Sequence, residues 1–363
     1  MIRFIIGNRF SIFIIFLFFI SVYKNSIAQT DNHTTILGAN LIINDDIDST
    51  RLSAIINSDS ANYLNINKFK YGGDRRYTMD GSMPLQNDKI KPVTASIFGS
   101  VFLTSIVTLH IVQANAWWKD KRGPFHFYED WAYAKQVDKC GHAFGGYLTS
   151  YAMSEMMMAS GFSWDNASNW GSAFGALYQT YVEFEDGFST EWGFSPSDWY
   201  FDMLGPIFFL AQHYVPDLQN VTPKWTYIPN TWTGKPSITR PKTFIDDYNS
   251  SNFWYSINIY NILPKEYKKY WTPFFNIALG YGVDGIDAND AGGPPDKFAG
   301  RKYMIGLDYN LVALLPDGGW FWNWIRQSLN FFKLPAPALE FTKSGTRFYL
   351  MYPFNFKIGK TRF

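Results

Sequence analysis

In "QVDKCGHAFGGYLTSY", residues 136–151, an aspartate and a histidine stand four positions apart in an apolar, glycine-rich run. On a helix that interval puts Asp138 and His142 on one face, a turn apart. Asp198 and Asp202 repeat it in "PSDWYFDMLG", and "YVEFEDGFSTEW" between them carries Glu183, Glu185, Asp186 and Glu191. Carboxylates and one imidazole gathered from three helices have the donor types that a divalent metal takes. The same set supplies a general acid and a general base once environment splits their pKa values. A third outcome is a buried hydrogen-bond lock with Lys139 as counter-ion. An unpaired polar group costs roughly 2–7 kcal/mol to bury, so these side chains are expected to converge. The candidate site is Asp138, His142, Glu185, Asp186, Asp198 and Asp202, and spacing alone names neither a metal nor a cofactor for it.

Holding such a site requires helices that approach closely. Gly141 and Gly145 are four apart, as are Gly171 and Gly175 in "NWGSAFGALYQTYVEFED", and small residues at that interval let two helices meet. Pro196, Ser197 and Asp198 favour a helix start, and Pro206 is expected to kink that helix or limit its first segment. Residues 93–118 contain no charge over 26 positions, which suits a membrane helix or a buried core helix.

After the Pro- and Thr-rich stretch "VTPKWTYIPNTWTGKPSITRPK" the pattern changes to period two. "FNIALGYGV", "YMIGLDYNLVALL" and "TRFYLMYPFNFKIG" alternate large apolar with small or polar residues, and "FWYSINIYNI" does so more weakly. Apolar outward and small or polar inward is the habit of outer-membrane strands, although four or five are fewer than the eight of the smallest single-chain bacterial barrels. A sheet with one face on helices and one face wet has the same alternation. "GGWFWNWIRQSLNFFK" has the look of an interfacial or surface amphipathic helix. The expected fold is α+β: a bundle of about four helices, then a strand-rich antiparallel region. The boundaries are a signal peptide at 1–28, a loosely ordered leader at 29–90, a helical domain at 91–220, a linker at 221–250 and the strand region at 251–363.

Composition agrees. Aromatic residues make up 19% and charged residues only 17%, a pairing that suits surfaces against lipid or a very aromatic core. The formal charge is +1 with scattered basic residues, so the basic stripe that nucleic-acid binding requires is missing. Arg3 and Arg9, the apolar run 10–22 and small residues at Ser26 and Ala28 read as an export signal. The lone Cys140 forms no internal disulfide and reads as a packing residue. No cysteine follows the apolar run, so lipidation there is not expected.

Two segments, "FHFYEDWAYAKQVDKCGHAFGGY" and "VEFEDGFSTEWGFSPSDWYFDMLG", together resemble the bacterial family of periplasmic or outer-membrane proteins typified by YfiM, domain of unknown function 2279. The matching positions are Asp138-Lys139, His142, Glu185-Asp186-Gly187, Ser189, Trp192-Gly193-Phe194-Ser195, Asp198 and Gly205, and the resemblance covers roughly residues 115–215. A more distant similarity is to VanZ-like membrane proteins, with their DKxxH segment, later glutamate and Asp-containing helix. This chain has Asp202 where that last motif usually has asparagine, which adds a negative charge to be absorbed. It also lacks the lipid-attachment cysteine of the short relatives. The family has no established activity, so the resemblance implies a compartment and site positions rather than a reaction. The expectation is an exported protein of the outer membrane or periplasm of a Gram-negative bacterium, in contact with membrane lipid, whose cluster is structural or ligand-binding. The alternatives are a metal-dependent hydrolase or transferase acting on lipid or cell wall, and a small outer-membrane channel or transporter.

Overall fold

The computed structural model describes residues 62–233, 243–286 and 300–355, and two short strands, Lys357–Ile358 and Thr361–Arg362. The expected signal peptide at 1–28 lies outside the described residues, as does the leader as far as residue 61. The rest of that leader is not loose. Its Phe69, Tyr71, Arg76 and Met79 are buried, reaching three separate apolar clusters through the aromatic and methionine side chains. Arg76 pairs with Glu155 at 2.6 Å, both buried, so a segment that reads as polar holds on by a few large anchors and one buried ion pair.

Four long helices follow: α1 (Pro92–Gln113, extended by a π-turn at Ala114–Trp118), α2 (Val137–Ala159), α3 (Trp164–Asp186) and α4 (Pro196–Tyr214). Ser163 caps α3 and Ser195 caps α4, each accepting a backbone N–H three residues on. The packed unit is α2, α3 and α4. A Cβ at Gly205 of α4 would meet the Ala143 carbonyl of α2, and one at Gly175 of α3 would meet Ser150 of α2. Gly141 has a different task from the one its spacing suggests, since it faces Phe253 of the sheet. Pro206 does not end α4. Its ring lies against Gly146, where no side chain competes for the space, and its carbonyl accepts from Ser172 Oγ at 2.9 Å. By contrast α1 stands at the margin: it is long and apolar enough to cross a membrane, and 6% of its most apolar stretch is buried.

The antiparallel sheet has six strands in simple meander order: β1 (Val221–Tyr227), β2 (Ser251–Ile257), β3 (Phe275–Asp284), β4 (Gly300–Tyr309), β5 (Ala338–Thr342) and β6 (Gly345–Tyr349). β1 falls in the expected linker. Its Pro223 reads as a breaker, but an edge strand tolerates proline. β5 falls between the expected runs, and the last of those runs stops at Tyr349 rather than continuing to Ile358.

Polarity in this sheet is reversed. Lys224, Asn252, Ser256, Asn276, Lys302, Asp308 and Glu340 are buried, while Tyr255, Leu279, Tyr303, Ile305, Leu339 and Phe348 are exposed. The polar face is not wet, because the sheet curls over it. Lys224 of β1 reaches Asp308 of β4 at 2.6 Å, although three strand spacings of a flat sheet amount to about 14 Å. Trp254, Ala278, Met304, Ala338 and Tyr349, one from each of β2 to β6, share one cluster with Tyr352. Residues 331–333 bond to Trp225 on the β1 edge, and Ala336 accepts from the Tyr352 amide beyond β6, so one segment touches both edges. On the outside, Trp225 and Phe253 pack on Phe144 of α2 and Val283 packs with Val137 of α2, while Tyr255, Leu279, Tyr303, Ile305, Leu339 and Phe348 of that face are exposed.

Candidate functional site

Asp138, Lys139 and His142 open α2, Glu183 and Asp186 close α3, and Asp198 and Asp202 open α4, so three helix ends meet at one level. Two adjoining groups result. In the first, the fully buried Lys139 ammonium lies 2.5 Å from Asp130, 2.6 Å from Asp198 and 3.2 Å from Asp138. Tyr248, just before β2, donates to the other Asp138 oxygen at 2.5 Å. Ser195 Oγ donates to Asp130 at 2.6 Å while accepting the Asp198 amide, tying the α4 cap to the cluster.

In the second group His142 Nδ1 lies 2.8 Å from Asp202 Oδ1 and 3.7 Å from Glu183 Oε1. Gln179 also donates to Asp202 Oδ1, at 2.9 Å, and the Ser195 amide donates to Glu183 Oε2 at 3.2 Å. His142 joins the groups, because its Nε2 lies 3.7 Å from Asp138 and 3.8 Å from Asp198. Asp202 is fully buried, and its Oδ2 has no hydrogen-bond partner.

Charge is out of balance. Asp130, Asp138, Glu183, Asp186, Asp198 and Asp202 surround Lys139 and His142, and the physical consequences appear in the acids and bases themselves. Burial opposes charge on His142, but Asp202, Asp198 and Asp138 outweigh it and hold its pKa well above the ordinary imidazole value. Burial also opposes charge on Asp138, yet His142, Lys139 and the Tyr248 hydroxyl keep it below the ordinary carboxyl value. For Asp198, burial and the Asp138 charge win over His142 and Lys139, lifting it to about 8. Asp186 rises to about 7, chiefly by burial, despite its 2.6 Å bond from the Trp118 indole. Burial and the neighbouring carboxylates likewise raise Glu183 well above its usual range.

The structure therefore brings together Asp138, His142, Asp198 and Asp202, and sets Asp186 beside them on Trp118. Glu185 goes elsewhere: its carboxylate pairs with Arg122 at 2.5 Å, away from the imidazole. The residue the sequence reading passed over is Glu183. Gln179, Glu183 and Asp186 stand at i, i+4 and i+7, one face of α3, and that periodicity separates Glu183 from Glu185. Asp130 and Tyr248 carry no such signal, since loop and turn geometry delivers them.

In this setting the cluster can hold a cation between Glu183, Asp202 and His142, or move a proton through an imidazole oriented by Asp202. The comparison with known families bears on where such a centre resides. Residues 126–211 match the family model described as a predicted periplasmic lipoprotein, DUF2279. The DUF2279 segment runs from the loop before α2 nearly to the end of α4 and contains every cluster residue except Trp118 and Tyr248. It supports export to the periplasm. The sheet lies beyond it, and the only cysteine, Cys140, stands inside α2 with its thiol pushed up to about 12 by burial and Asp138. No curated protein and no solved structure matches the chain.

Proposed function

We propose that this is an envelope protein held in contact with membrane lipid, whose buried cluster is a binding centre rather than a lock. The observation that carries the lipid contact is the inverted polarity of its outer elements. Every exposed residue of α4 is apolar or aromatic, namely Tyr200, Leu204, Ile207 and Tyr214, while its two aspartates are buried. α1 leaves Val93, Leu103, Val107 and Ile111 uncovered, and the sheet does the same with Leu279, Ile305 and Leu339. Contiguous apolar surface on several elements is costly in water, at roughly 25 cal/mol per Å². Against acyl chains it costs nothing, and ionisable side chains then turn inward. The YfiM-type motifs agree with an outer-membrane-associated or periplasmic location, and the distant likeness to VanZ-like membrane proteins agrees with lipid contact.

The binding-centre reading is supported by the excess of carboxylates and by the orphaned Asp202 oxygen. A lock that serves stability alone is expected to come closer to balancing its charges. A hydrolase or transferase reading gains one specific support, the 2.8 Å contact that orients the His142 imidazole, whose raised pKa suits it to act as a general acid. The test of the lipid contact is fractionation of cell envelopes with an alkaline carbonate wash. The protein is expected to stay with the membranes; release into the soluble periplasmic fraction would refute the assignment.

A further inference from the structure

We propose that Glu183, Asp202 and His142 form a binding site for one first-row divalent transition ion of the zinc or manganese type. The inference deepens the binding-centre reading and rests on it. The three side chains present donor atoms that all lie within 4.8 Å of one another. Each carboxylate is steered by a donor on one oxygen and leaves the other for a ligand. The Ser195 amide holds Glu183 Oε2, which turns Oε1 toward the imidazole. Gln179 holds Asp202 Oδ1, which also lies 2.8 Å from His142 Nδ1, and the buried Oδ2 is without a partner.

Lys139 decides which half of the cluster is available. Its ammonium already serves Asp130, Asp138 and Asp198, so the Nε2 side of His142 has a built-in cation. The Nδ1 side has none. With the ion on Nδ1, the Nε2–H faces Asp138 and Asp198, giving the carboxylate behind a ligating histidine that metal sites use to fix the ring. One imidazole and two carboxylates are a mixed nitrogen and oxygen set, which suits zinc or manganese better than the all-oxygen shells of calcium and magnesium. The His142 side chain is 20% exposed, while those of Glu183 and Asp202 are buried, so the imidazole is the part of the set nearest to solvent.

The experiment is zinc uptake by the detergent-solubilised full chain after chelator treatment, followed by calorimetry and elemental analysis. One zinc per chain is expected, with affinity lowered about tenfold or more in Glu183→Gln and in Asp202→Asn. Glu185→Gln, whose carboxylate pairs with Arg122, is expected to bind as the parent does. Cobalt substitution of the parent chain gives a readout free of any folding defect in the variants: visible bands of nitrogen and oxygen ligation, without the thiolate charge transfer that Cys140 would give. Folded protein that takes up no zinc above a detergent blank overturns the proposal, as does unchanged affinity in both variants. Carbonate extraction of the same variants separates the two claims, because losing the ion leaves the lipid-facing surfaces intact.

Discussion

Lys139 shows how much rests on single side chains in this molecule. It is fully buried and serves three carboxylates, so Lys139→Met leaves their charges uncompensated. Breaking a buried pair by removing one partner costs about 3–5 kcal/mol, and the variant is expected to lose that much in chemical denaturation in detergent. A second lysine gives a pH signature. Burial pushes the Lys333 ammonium down to about 8, with Asp308 opposing and Lys224 adding; the Trp254 ring lies 4.6 Å away. Between pH of about 8 and the ordinary lysine value of 10.5, the unfolded chain keeps a proton that the folded chain has released. Stability therefore rises with pH across that window, and below it the charged amine is held at a cost. Denaturation midpoints of the parent are expected to increase from pH 8 to pH 10 through this group, and Lys333→Met is expected to flatten the increase. At this scale the acids on helices were legible, because i and i+4 spacing pairs Asp138 with His142 and Asp198 with Asp202. Glu185 misled, since sequence density near the end of α3 does not say which side faces inward.

At the scale of elements, the glycines divide into those that permit helix contact and those that do not. Gly205→Ala places a methyl on the Ala143 carbonyl, and overpacking of this kind costs about 1–3 kcal/mol. Gly99 lies in α1 with nothing within 4 Å of a Cβ, so Gly99→Ala is expected to be neutral or to stabilise by up to about 1 kcal/mol. Thermal melts of the two variants side by side check the contrast. The long helices and the strands of regular alternation could be read from the chain, since α2 to α4 carry helical spacing and β3 and β4 keep strict period two from Phe275 to Val283 and from Tyr303 to Tyr309. β1 and β5 could not. β1 contains Pro223 and earns its place only by pairing with β2 and with residues 331–333, and β5 is short. The segment 62–90 was hidden for a related reason: Phe69, Tyr71 and Met79 are spaced by no local period and bury themselves in clusters formed by distant residues.

For the whole molecule, charge and apolar surface are arranged in the opposite sense to a water-soluble globule. Asp138, Glu155, Glu183, Asp198 and Asp202 of the helical part and Lys224 and Lys302 of the sheet are buried, while α1, α4 and the outer sheet face present Leu, Ile and aromatic side chains. Composition hinted at this through abundant aromatics and few charges, but only the fold shows that the apolar residues are the outer ones. The most direct measurement is spin-label accessibility in phosphatidylethanolamine and phosphatidylglycerol vesicles, with labels introduced by Leu204→Cys on α4 and Ile305→Cys on β4 in a Cys140→Ser background, and by Glu266→Cys on an exposed loop as the aqueous reference. Collisions with oxygen are predicted to exceed those with a polar nickel complex at positions 204 and 305, and to fall below them at 266. Preferential collision with the nickel complex at both 204 and 305 would mean that these faces are wet, and would contradict the account.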